Sequence, residues 1–172
     1  EGGPDNRPLG NVQMLGRVTG PILAAETGWP LWLASYVADH SMHLMTMSED
    51  LPNPDSRVLV QNGKIVLHWQ RSNFGAHQYL TAKLKTVLRK AGWPVVVSKT
   101  FEKKTPSHQC GTARMGTDPK ASVVDVNLKA HDLDNLYVVD ASVLPTSAAV
   151  NPSLTIAALA LRAGDHILQV LA

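Results

Sequence analysis

Two apolar runs, Arg57-Val-Leu-Val60 and Lys64-Ile-Val-Leu-His-Trp-Gln70, flank the tripeptide Gln61-Asn62-Gly63. Asn-Gly suits the tight turn that needs positive φ at both central residues, and that turn matches the twist of paired strands. The segment is thereby committed to an antiparallel hairpin. His43 to Ser48 (HLMTMS) alternates apolar and polar side chains, as a half-buried strand does. WPVVVSK (93–99) and LYVVDAS (136–142) read as two more strands. Helical signals separate them. Leu80, Leu84, Val87 and Leu88 recur at helical spacing between Gly75 and Ala91, Lys83, Lys85, Arg89 and Lys90 lie opposite, and Gly92 follows as a stop. Within Thr27 to His40, a short buried helix is expected after Pro30, and a long apolar helix from Leu154 to Leu171. The stretch up to about Gly10 reads as a flexible leading strap. The expected class is α+β: mostly antiparallel sheet with flanking helices and a Gly-rich loop region between 105 and 150.

Composition removes several functions. In 172 residues, 16 basic and 14 acidic side chains leave a net charge of +2 with no basic block, which argues against a nucleic-acid partner. Cys110 is the lone cysteine, so neither an intrachain disulfide nor a multi-cysteine metal site exists. His40 and His43 have no third ligand, and no metal is expected. No uninterrupted apolar run approaches the length of a membrane span, so no transmembrane segment is expected. Glu1-Gly-Gly-Pro-Asp-Asn6 is no signal peptide, and a start without Met suggests a piece of something longer.

Two clusters carry candidate chemistry. The first is Ser107-His108-Gln-Cys-Gly-Thr-Ala-Arg-Met-Gly116, a His in a loop whose two glycines permit close backbone approach to a ligand. The second runs from Val138-Val-Asp140-Ala141-Ser142 to Asn151-Pro152-Ser153-Leu154-Thr155, where Asn151 reads as an N-cap and Pro152 as the first helical residue. Such a helix start attracts negative charge. Each signal has a bland counterpart: a lone loop His is usually structural, Asn-Pro is usually just a cap, and Cys110 reads as a small buried apolar residue. Ser142, His108 and Asp140 can be written as a hydrolase triad, but G-x-S-x-G is absent.

The combination says more than its parts. His108-Gln-Cys-Gly-Thr-Ala-Arg-Met-Gly116, Asn135-Leu-Tyr-Val-Val-Asp-Ala-Ser142 and Asn151-Pro-Ser-Leu-Thr155, in this order and spacing, resemble the C-terminal region of glucose–methanol–choline (GMC) flavoprotein oxidoreductases. Ser48 to Val60 (SEDLPNPDSRVLV) is similar to a strand and turn of that family's substrate domain. The resemblance implies oxidation of an alcohol or sugar CH–OH group by hydride transfer to FAD. It implies that His108 is the catalytic base and Asn151 its partner, and that Asp140 and Ala141 hold the phosphate–ribityl side of FAD. It puts Asn151, Pro152, Ser153 and Thr155 at the isoalloxazine edge. The chemistry is consistent, since an imidazole titrating near ~6.5 accepts a hydroxyl proton around neutral pH. A helix N-terminus also stabilises the charge of reduced flavin.

One departure is large. The family's Rossmann-type half carries G-x-G-x-x-G, and no such motif occurs here. Residues 1–106 then read as a portion of the substrate-binding domain, and 107–172 as the catalytic loop and C-terminal FAD-binding segment. The rest of the FAD-binding Rossmann domain is expected from an N-terminal half, on the same precursor or on a separate chain. A non-catalytic binding or assembly module that retains the fold is the competing reading; the presence of both His108 and Asn151 argues against it.

Overall fold

A computed structural model of the chain describes residues 9–101 and 107–172. Nearly all of the expected leading strap lies outside the described residues. Strand β1 (Asn11–Met14) pairs antiparallel with β2 (Leu44–Met47), from Asn11 opposite Met47 to Met14 opposite Leu44. Between them, α1 (Gly20–Thr27) and α2 (Leu31–Asp39) pack on each other. Gly20 makes that packing possible, because a Cβ there would lie 2.1 Å from Ser35 Oγ. Neither β1 nor α1 is expected from sequence; both lie in a stretch without clear periodicity.

The hairpin forms where Asn-Gly demands it. β3 (Arg57–Gln61) pairs with β4 (Lys64–His68), and Asn62 and Gly63 take φ values of 51° and 72°. Helix α3 (Phe74–Lys90) packs on β2. It ends in a Schellman motif: Trp93 N–H donates to Leu88 O at 3.0 Å, Gly92 N–H to Arg89 O at 3.2 Å, and Gly92 takes φ 95°. The inward stripe is shifted from expectation, for Leu80, Leu84 and Leu88 are half-buried while Val87 is 55% exposed.

Residues 107–150 form few regular elements and are held by isolated bridges, Met115 to Val124, Val124 to Ala130 and Lys129 to Tyr137. The main core lies beneath them: Val124, Leu128, Val143 and Ala163, with Met115, Val138 and Leu159 packed around. Ala163 comes from α4 (Ser153–Leu171), the long C-terminal helix.

Three expectations need correction. Residues 93–99 form no strand, since among the described residues nothing pairs with them. In 136–142, Tyr137 bridges to Lys129, and Ala141–Val143 is a 3-10 turn capped by Asp140. Pro152, not Asn151, is the N-cap of α4: Pro152 O already accepts from Ile156 N–H at 2.9 Å, so the helix begins one residue later than read. Helix α4 is long and apolar enough, by length and composition alone, to cross a membrane, a test that the core helix of a larger domain also passes.

The surface is large for the mass. The chain exposes 12218 Å² at 18.6 kDa, against roughly 8,200 Å² for a compact monomer of that mass. Much of it is apolar, including Leu154, Leu161 and Leu168 along one stripe of α4 and Val60 and Ile65 on the hairpin.

Candidate active site

Loop 107–116 and segment 140–150 are zipped together by backbone hydrogen bonds. Ala113 N–H donates to Ser142 O at 3.0 Å and Met115 N–H to Val143 O at 2.8 Å. The first loop also leans on a third segment through Ser147. Ser147 pairs with Asp50 in both directions, at 2.9 and 3.2 Å, and its Oγ donates to His108 O at 3.2 Å. Asp50 is tied in turn to Ser72, whose Oγ donates to its carboxylate. One serine thus joins the His loop, the segment before β3 and the approach to α4. Sequence reasoning missed it, because nothing local marks a serine whose partners are so far away in the chain.

His108 sits at the centre of this arrangement, half-buried, with φ 56°. A non-glycine residue in the left-handed region costs free energy and persists only where its surroundings over-determine it, a condition that recurs at functional sites. Here the Ser147 bond to its carbonyl supplies part of that constraint. Two clefts meet at His108. One of about 390 Å³ lies against β2, α3 and residues 96–101; another of about 690 Å³ lies against residues 50–58, β4 and 107–112. Ser107, His108 and Ser147 line both.

The two glycines of the loop serve different ends. A Cβ on Gly116 would come within 2.9 Å of Ser122 Cβ, so its smallness is used inside the protein and not toward a ligand. Gly111 lines the larger cleft. Cys110, half-buried, has its thiol pushed up by burial, with a Ser147 hydrogen bond only partly opposing, so it is no poised nucleophile.

Asp140 is exposed, and its Oδ1 accepts from Ser142 N–H at 2.7 Å. Hydrogen bonding from Ser142 holds its carboxyl below the usual range, keeping it ionised. Ala141 follows it, half-buried, in the 3-10 turn. Asn151, Ser153 and Thr155 are exposed and Pro152 is half-buried, and none of the four lines either cleft. The fold therefore brings His108 and the segment following Asp140 together, and the start of α4 stands outside the linings of both clefts. No group of three potential metal ligands occurs among the described residues.

A family model described as GMC oxidoreductase matches residues 52–160, a span that holds both clusters whole. The chain belongs to the GMC oxidoreductase family. This GMC chain is 36% identical to 6'''-hydroxyparomomycin C oxidase of Streptomyces lividus over 141 residues, 76% of this chain and 26% of that protein. It is 33% identical to paromamine 6'-oxidase of Streptomyces fradiae over 73% of this chain and 25% of the relative. Over 80% of this chain it is 30% identical to cholesterol oxidase of Acinetobacter baumannii, covering 24% of that enzyme. The chain thus spans about a quarter of the length of these GMC relatives.

Proposed function

We propose that this chain supplies the catalytic C-terminal part of an FAD-dependent oxidoreductase acting on the CH–OH group of an alcohol or sugar, with His108 as general base. The observation that carries the reading is the position of His108: left-handed backbone, carbonyl held by Ser147, and a place in the lining of both clefts. Family membership supports the reaction class, and three relatives are named as oxidases, of 6'''-hydroxyparomomycin C, of paromamine and of cholesterol.

The residues present fit FAD. Asp140 offers an exposed, ionised acceptor for a ribityl or ribose hydroxyl. The start of α4 has no side-chain cap, which leaves its first backbone N–H donors open to an anionic group. Ser153 and Thr155 stand exposed beside them, and the Asn151 side chain makes no hydrogen bond among the described residues. When bound, FAD supplies the hydride acceptor for the alcohol carbon. His108 takes the hydroxyl proton as the C–H bond breaks, and Asn151, not consumed by capping, orients the alcohol oxygen. Residues 1–106 contribute the substrate side and 107–172 the catalytic loop and flavin edge, the C-terminal helix completing a Rossmann-type domain supplied mainly by an N-terminal half. The apolar stripe of α4 supports that assembly, since it lacks any cover of its own.

The test uses the assembled, flavin-loaded enzyme. His108→Ala should keep flavin and fold while flavin reduction by substrate slows about 10²–10⁴-fold, the range for loss of a positioned base. Wild-type reduction rates in that variant would remove His108 from the reaction.

A further inference from the structure

The inward stripe of α3 runs Phe74, His77, Thr81, Leu84 and Leu88, and all five line the smaller cleft that His108 also lines. A stripe at this spacing normally carries apolar residues throughout. Two of its five positions are polar. Thr81 Oγ1 is buried and has no hydrogen-bond partner among the described residues, a costly state for a hydroxyl unless a ligand completes it. His77 Nδ1 lies 3.3 Å from Ser48 Oγ, which fixes the ring and leaves Nε2 as the nitrogen available to a ligand. The ring also stacks on Phe74, centroids 6.2 Å apart.

The same wall connects to the reacting end through the backbone. Ser48 lies two residues from Asp50, Asp50 pairs with Ser147, and Ser147 holds His108. We propose that His77 and Thr81 form a hydroxyl-binding subsite of the smaller cleft, which selects a ring compound bearing a second hydroxyl group remote from the carbon that His108 serves. This rests on the reading of His108 as the base. The substrate class is then a cyclic polyol or sugar rather than a simple aliphatic or monohydroxy ring alcohol. Trp69 and Phe74 line the same cleft with the Arg71 guanidinium over both rings, 5.4 and 4.6 Å from their centroids, so a hydroxylated ring would meet a cationic donor beside the polar pair, and Leu84 and Leu88 add apolar wall. Burial, and then the nearby Arg71, lower the pKa of His77, so its ring stays neutral and serves as a hydrogen-bonding group around neutral pH.

Steady-state oxidation of cyclohexanol, the cyclohexanediols, glucose and deoxyglucose, with an added artificial electron acceptor to reoxidise the flavin, measured on the assembled enzyme and on Thr81→Val, His77→Phe and His77→Gln, decides the matter. Thr81→Val preserves shape and removes an unsatisfied hydroxyl, so it should fold at least as well as wild type. The expected result is a lower KM for a diol or sugar than for its mono- or deoxy partner. Thr81→Val and His77→Phe should raise that KM by roughly 10–100-fold with kcat little changed, His77→Gln should recover part of it, and cyclohexanol should respond to none of them. A wild-type enzyme without that preference, or a preference that survives Thr81→Val, overturns the subsite. A His108→Ala enzyme with normal turnover sinks the base reading instead, and leaves the KM comparison readable.

Discussion

Leu128 is fully buried and yet holds φ at 67°, a conformation that a leucine avoids. The Asp125 carboxylate compensates: its Oδ1 accepts from Asn127 N–H at 2.7 Å and from Lys129 N–H at 3.0 Å, wrapping the backbone around Leu128. Asp125→Ala should therefore cost about 1–3 kcal/mol, the range for leaving such donors unpaired. Asp125→Asn, which keeps an acceptor, should cost less; equal melting temperatures for Asp125→Ala and wild type would remove the turn from the stability account. His77 makes a pH-dependent contribution. Its folded pKa lies below the ordinary 6.5, so the unfolded chain binds its proton more readily. Stability from this group is present above pH ~6.5 and falls as pH drops through the folded value. His77→Gln should flatten that part of the profile in urea melts between pH 5 and 7, roughly the window of histidine titration. At this scale sequence is informative about His108, which lies in a distinctive run, and silent about Ser147 and Thr81. Their meaning comes from partners, or the lack of one, that only the folded chain reveals.

Elements built from local signals are the ones that sequence predicts well. Asn62-Gly63, the periodicity of α3, the Gly92 stop and the apolar run of α4 each act within a few residues, and each element forms within one residue or so of its expected span. The apolar runs at 93–99 and 136–142 fail for the complementary reason. A strand needs a partner, pairing is non-local, and nothing in a run of valines says where that partner is. The capping of α4 fails on a smaller margin, because Pro152 accepts the first intrahelical bond itself. Gly63→Ala tests the hairpin: open space surrounds the position, so the cost is conformational alone, about 1 kcal/mol for a side chain at φ 72°. Gly20→Ala should cost more, because its Cβ meets Ser35 Cα at 2.7 Å and the two helices must part. If chemical denaturation ranks Gly63→Ala as the more damaging of the two, the packing of α1 on α2 matters less than the geometry indicates.

Over the whole molecule, the mismatch between surface and core carries the argument. The excess exposed area, roughly 4,000 Å² over a compact monomer, exceeds the ~800 Å² per partner of a standard interface several times over. It is distributed over α4, the hairpin and α2, where Trp32 is 73% and Leu154 86% exposed. A surface of that kind is what a chain presents when its cores continue into covalently or non-covalently attached structure, and the part of this chain that matches covers only about a quarter of each of its relatives. Residues 1–172 expressed alone should therefore bind a hydrophobic dye and melt with a broad transition, and on the proposed function they should hold FAD weakly, since Asp140 and the α4 start would offer only part of a grip. On the proposed function, adding an N-terminal FAD-binding half should abolish dye binding, sharpen the melt and bring flavin into the protein together, because one docking event would bury the Leu154, Leu161 and Leu168 stripe and place the first turn of α4 beside the cofactor. Equilibrium dialysis and dye fluorescence on the same samples separate the possibilities. Micromolar or tighter FAD binding by residues 1–172 alone, with no dye signal, would mean that the pocket is complete within this chain and that the apolar stripe of α4 has another use.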